Sequence, residues 1–126
     1  MLAVDTHVLV RLAVLDDQAQ LAKAKRFIEP GAWVSHVVLI EAVWVLDSYY
    51  SFTREQLSRF IETTTLHPNL RVQDADVVEA ALSHFNAQKK LSFTDCLVLE
   101  IARKAGHIPL GTFDKALGKL PGAKAL

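Results

Sequence analysis

At 126 residues, 51% hydrophobic and 22% charged, the chain has the size and apolar content of one domain with its own core, and is too apolar for intrinsic disorder. Fourteen basic and fourteen acidic side chains cancel, so composition carries no signature of tight nonspecific nucleic-acid binding. The single cysteine, Cys96, excludes an intrachain disulfide and suits a reducing cytosol. No basic segment precedes a long apolar run at the N-terminus, so no signal peptide is expected. The longest apolar stretch, VVLIEAVWVL, is interrupted by Glu41 and falls short of the roughly 18 residues of a membrane span. A soluble, cytoplasmic protein is the expectation. From Asn86 onward seven basic residues face three acids, which leaves room for a local basic rim.

The chain opens with a short apolar strand (Leu2, Ala3, Val4) that ends at Asp5. A short helix is expected over 7–14 and a longer one over 16–29, where Leu21, Ala24, Phe27 and Ile28 recur at helical spacing. Pro30-Gly31 stops it, and Ala32-Trp33-Val34 reads as a buried strand. Ser35 is placed to cap a helix over 36–50, and Thr53 with Gln56 forms a capping box opening a helix to residue 66. His67-Pro68-Asn69 is a turn and Leu70-Arg71-Val72 a strand. Asp76 and Glu79 repeat the capping-box pattern for a helix ending near residue 88. Residues 92–105 predict a helix closed by Gly106, followed by a strand over 108–110 weakened by Pro109. Thr112-Phe113-Asp114 turns into a last short helix, and 123–126 can supply an edge strand. Short strands alternating with helices predict an α/β fold of three layers, α/β/α, around a short, mainly parallel sheet of four to five strands, in one domain over 1–126.

Four acids stand out, each with an ordinary alternative. Asp5 follows a strand, where ligands gather at the edge of an open α/β sheet, but it could simply cap the next helix. Glu41 lies among Val38, Leu39, Ile40, Ala42, Val43 and Trp44; a carboxylate there is costly to bury unless paired or ligating, although a narrow solvent face would also accommodate it. Asp95 follows Ser92 by three and fits a capping box, and Asp114 fits a helix cap. Glu100 reads as a solvated charge, and Trp44, in an apolar helix, as core rather than as a base-stacking ring. Asp5 and Asp114 each follow a strand, while Glu41 and Asp95 each lie near the start of a helix. If all four converge, their mutual repulsion calls for divalent cations, and hard oxygen donors without a Cys or His cluster select Mg²⁺ or Mn²⁺ over Zn²⁺.

LAVDTHVLVRL, LIEAVWVL, SFTDCLVLEIAR and GTFDKAL, in this order and spacing, resemble the PIN domain, and more narrowly the VapC-type ribonuclease toxins of bacterial toxin–antitoxin pairs. The resemblance runs from residue 1 to about 120. It implies that Asp5, Glu41, Asp95 and Asp114 are the catalytic, metal-binding quartet, and that Thr112 and Thr6 support the site. His7 departs from the Asn or Ser usual after Asp-Thr and reads as a surface or hydrogen-bonded histidine beside the site. The implied chemistry is hydrolysis of single-stranded or loop RNA. Asp5, Glu41 and Asp95 are the principal ligands of a water-activating cation, and Asp114 binds a second cation or positions the water. Arg11, Lys89, Lys90, Arg103 and Lys115 are candidate phosphate contacts, with solvated surface charge as the alternative for each. A cognate antitoxin and homodimerisation are further implications. Other classes remain: a noncatalytic partner-binding module on the same fold, and a Mg²⁺-dependent receiver domain, which would need an acidic neighbour beside Asp5.

Overall fold

The computed structural model describes all residues, Met1–Leu126. The chain divides into two compact units, Met1–Ala75 and Asp76–Leu126.

The first unit is built on a parallel three-stranded sheet, β1 (Leu2–Ala3), β2 (Ala32–Val34) and β3 (Leu70–Val72), in that order. Ala32 is the register point: it pairs with Leu2 on one side and Leu70 on the other. Ala32 and Val34 are buried with Trp33 exposed between them, the alternation of a strand covered on one face. Four helices follow the strands: α1 (Thr6–Ala13), α2 (Gln18–Ile28), α3 (His36–Tyr50) and α4 (Arg54–Leu66). Local chemistry sets their starts. Asp5 accepts from Thr6 N–H, Asp17 from Gln20, and Ser35 from Val38, while Thr53 and Gln56 close a complete capping box. Leu9, Val10, Leu21, Ala24, Ile28, Leu39, Leu46, Leu57 and Ile61 are buried around the sheet. His36 is buried as well, its N–H donating to Gln73 Oε1 (2.9 Å) and its Nε2 lying 2.6 Å from the Gln73 carbonyl, which ties the start of α3 to the end of β3. Phe27 is half exposed, so it is a rim rather than a core residue of α2.

The second unit holds most of α5 (Ala75–Ala87), then α6 (Phe93–Ala105) and a parallel pair, β4 (Leu110–Thr112) and β5 (Ala123–Ala125), joined through a 3₁₀ turn at Leu117–Lys119. Ser92 caps α6 by accepting from Asp95 N–H, and Gly106, at φ +84°, ends it in the left-handed conformation that glycine tolerates best. Val78, Ala81, Phe85, Leu91, Phe93, Leu97 and Leu99 form the core, with Phe85 and Phe93 packed edge to face at 6.2 Å.

The ends of α1 and α2 lie within one or two residues of the sequence reading, and two other boundaries differ for a visible reason. Helix α5 starts at Ala75, so Asp76 is already helical, and its carboxylate reaches Lys104 Nζ (3.0 Å) instead of capping. Strand β4 is 110–112 rather than 108–110, because its ladder runs Leu110–Ala123 to Thr112–Ala125 and Pro109 has no N–H to offer one. The expected strand number and parallel pairing are present, distributed over two sheets. No helix is long and apolar enough to cross a membrane.

Candidate functional site

In a parallel sheet the strands deliver whatever follows them to one edge. In the first unit Asp5 stands two residues beyond β1, and α3 begins two residues beyond β2, with Glu41 in its second turn. Asp5 is exposed and takes the cap position of α1, its Oδ1 accepting from Thr6 N–H at 2.7 Å. Thr6 itself is 2% exposed, so its hydroxyl is not presented to solvent and its contact with Asp5 is the backbone hydrogen bond. The second carboxylate oxygen of Asp5 makes no hydrogen bond.

Glu41 is exposed, and its carboxylate has no hydrogen bond or ion pair. The apolar run around it rings α3, and Glu41 occupies the open side with Trp44. Trp44 is 57% exposed, which overturns its assignment to the core. Periodicity could not have shown this, because α3 is apolar on nearly every side and designates no face. Glu41 and Trp44 line an open cleft with His7, Val45, Tyr49 and Tyr50. Packing of α1 on α3 therefore brings the start of α1 next to Glu41.

In the second unit Asp95 occupies the third position of α6. Its backbone N–H donates to Ser92 Oγ at 3.1 Å. The reciprocal bond of a capping box is missing, so the half-buried Asp95 carboxylate has no partner. A partly buried, uncompensated carboxylate is costly, which makes it more informative than an exposed acid. Asp114 lies two residues past β4. It caps the final turn through Leu117 N–H (2.8 Å), and its own N–H donates to Thr112 Oγ1 (3.0 Å). The Thr112 hydroxyl keeps its proton for another acceptor.

The candidate cations separate into two kinds. Arg11 is committed to Asp16 (2.8 Å) and to the Tyr50 hydroxyl (2.7 Å). The Tyr50 bond first, then the charge of Asp16 against the opposing effect of burial, holds its guanidinium above the ordinary value. Arg103 is likewise committed, donating through Nε to both oxygens of Glu100 and through Nη2 to the Pro121 carbonyl. Both arginines thus act as structural ties within their own units. Lys89, Lys90 and Lys115 are exposed.

Glu100 also departs from the sequence reading. It is 7% exposed, not solvated, and accepts from His84 Nε2 (3.0 Å) as well as from Arg103. Apolar neighbours on α6 concealed this, because the partner His84 lies on another helix, sixteen residues away.

Hard oxygen donors fit Mg²⁺ or Mn²⁺ in kind: Glu41 and Asp95 are unpaired, and Asp5 and Asp114 each retain an uncommitted oxygen. No three His, Cys, Asp or Glu side chains are grouped closely enough to hold a metal ion as they stand. A separate cavity of about 380 Å³, lined by Leu9, Phe52, Phe60 and Leu70 with Lys25 and Arg59 among the polar lining, contains none of the four acids.

A search of curated proteins found no match, and neither did a search of solved structures. The family model of the PIN domain, a nuclease fold whose members commonly depend on divalent metal, matches residues 2–123, a span that includes all four acids and extends through most of both compact units; the chain belongs to the PIN domain family.

Proposed function

We propose that the chain is a metal-dependent endoribonuclease of the VapC toxin type, with 1–126 acting as one catalytic domain. The observation that carries this reading is the pair of unpaired carboxylates, Glu41 and Asp95, on helices of a chain whose family match is nearly complete. Asp5, Glu41, Asp95 and Asp114 would hold Mg²⁺, with Mn²⁺ as a substitute. When bound, the dication offsets the carboxylate charge and acidifies water for attack on phosphorus.

The chain's own residues have assignable tasks. Thr6 N–H fixes the orientation of Asp5. Thr112, whose oxygen is occupied by Asp114 N–H, donates its hydroxyl proton to water or to a phosphate oxygen. Lys89, Lys90 and Lys115 contribute phosphate attraction that weakens as salt rises. An unpaired RNA strand suits an acidic site better than a duplex, because its backbone can approach closely. A cognate antitoxin neutralises the enzyme in this reading, and the protein forms homodimers in the cytoplasm.

A noncatalytic partner-binding module is the second reading, favoured by the absence of a preassembled group of three ligands. Cleavage of a mixed single-stranded RNA pool with Mg²⁺ or Mn²⁺ separates the two. The nuclease reading expects wild-type cutting that EDTA abolishes and that Glu41→Gln and Asp95→Asn reduce at least 100-fold. Metal-independent cutting, or equal rates in both variants, contradicts it.

A further inference from the structure

Trp44 and Tyr49 are 57% and 72% exposed and meet edge to face with ring centroids 5.7 Å apart. Two large rings left in water on one helix are an energetic cost unless something covers them, since each can bury roughly 150–250 Å². The cleft they line contains His7, Glu41, Val45 and Tyr50, with no lysine or arginine. A phosphate is therefore not its ligand. Arg11, the nearest cation by bonding, donates to the Tyr50 hydroxyl and is neutralised by Asp16.

The polar members are those that read a base edge. The Tyr50 oxygen accepts from Arg11, so its own proton is available to donate. The His7 imidazole has no hydrogen-bond partner and can donate from one ring nitrogen and accept at the other. The cleft includes Glu41, and its His7 lies two residues beyond Asp5 in the chain.

We propose that this cleft holds one unpaired nucleobase of the RNA, stacked on Trp44 and Tyr49 and bonded at its edge by His7 and Tyr50, with Glu41 left to the dication. The proposal rests on the ribonuclease reading and deepens it: the enzyme selects an unstacked base next to the bond it cuts. A second copy of the chain is the competing occupant. It would also cover the rings, but an unpaired base in addition engages the unpartnered His7 and the free proton of the Tyr50 hydroxyl, which favours the base.

The test uses Trp33→Phe protein, in which Trp44 is the only tryptophan. With Ca²⁺ replacing Mg²⁺, a single-stranded RNA hexamer is expected to quench Trp44 fluorescence, and an abasic hexamer of equal charge is not. With Mg²⁺, Trp44→Ala is expected to raise KM for cleavage about tenfold with kcat within about twofold, and Trp44→Phe to recover most of the loss. Both positions are exposed, so these variants leave the core intact. Wild type that cleaves RNA without base-dependent quenching, or an unchanged KM in Trp44→Ala, overturns the proposal and leaves the nuclease reading standing. Base-dependent quenching without any cleavage supports the base pocket and contradicts the nuclease reading. Loss of a dimer in Trp44→Ala with KM unchanged assigns the cleft to a second copy and also overturns the proposal.

Discussion

Glu100→Ala is the perturbation whose magnitude the structure best supports. The carboxylate is 8% exposed and accepts from Arg103 Nε at 3.1 and 3.2 Å and from His84 Nε2 at 3.0 Å. Hydrogen bonds to charged groups contribute about 1.5–3 kcal/mol each. Removing one member of a fully buried ion pair costs about 3–5 kcal/mol. Here the donors retain solvent contact, 35% for Arg103 and 26% for His84, so water replaces part of what is lost. That places the destabilisation at roughly 2–3 kcal/mol. For a chain of this length it corresponds to a fall in Tm of roughly 6–15 °C. Thermal unfolding followed by circular dichroism, with urea titration as the second measure, reads it directly. Glu100→Gln keeps the shape and one acceptor and should lose about half as much. A loss below about 0.5 kcal/mol in Glu100→Ala would show that the triad is energetically idle and that Arg103 is free for another task.

Three further outcomes follow from the same contacts. Tyr50→Phe removes the hydroxyl that accepts from Arg11, and urea titration should show a loss of about 1–2 kcal/mol; no change would mean that Asp16 alone holds Arg11. The Asp76 carboxyl is held below its ordinary range chiefly by its hydrogen bond from Lys104. A depressed carboxyl contributes stability that is present above its unfolded value, near pH 4, and is lost as pH falls through the folded value. Asp76→Asn should therefore flatten the stability profile below about pH 4 and leave its form above about pH 5 unchanged, and a difference appearing only near pH 7 would contradict this. Thr53→Ala breaks the capping box of α4 and should cost about 1 kcal/mol by the same titration; a neutral result would mean that packing alone defines that helix start.

Local chemistry made much of the fold legible. Ser35, Thr53 and Ser92, each with a backbone N–H to accept from, fixed the starts of α3, α4 and α6 at the residues found. Gly106 fixed the end of α6. Where the deciding partner was distant, the pattern misled. Asp76 and Glu79 have the spacing of a capping box, but Asp76 turns to Lys104, 28 residues away. Glu100 has the surroundings of a surface charge on a buried helix, but His84 draws it inward. Trp44 shows the converse: an apolar run all around a helix says that the helix is buried without saying which residue is left out. For the same reason the committed state of Arg11 and Arg103 was invisible, since Tyr50 and Pro121 are far along the chain. The places of the four acids in the fold were legible, because each follows a strand or lies in the first two turns of a helix, whereas their convergence depends on tertiary placement that a linear pattern does not carry.

The proposed function requires that acids from the early and late parts of the chain serve one dication. Titration calorimetry with Mn²⁺ on wild type, Asp5→Asn and Asp95→Asn tests it without requiring a substrate. The account predicts saturable binding in wild type that weakens at least tenfold in each variant, with the two losses far from additive in the double variant because both residues serve the same ion. Wild-type affinity retained in Asp95→Asn would contradict it.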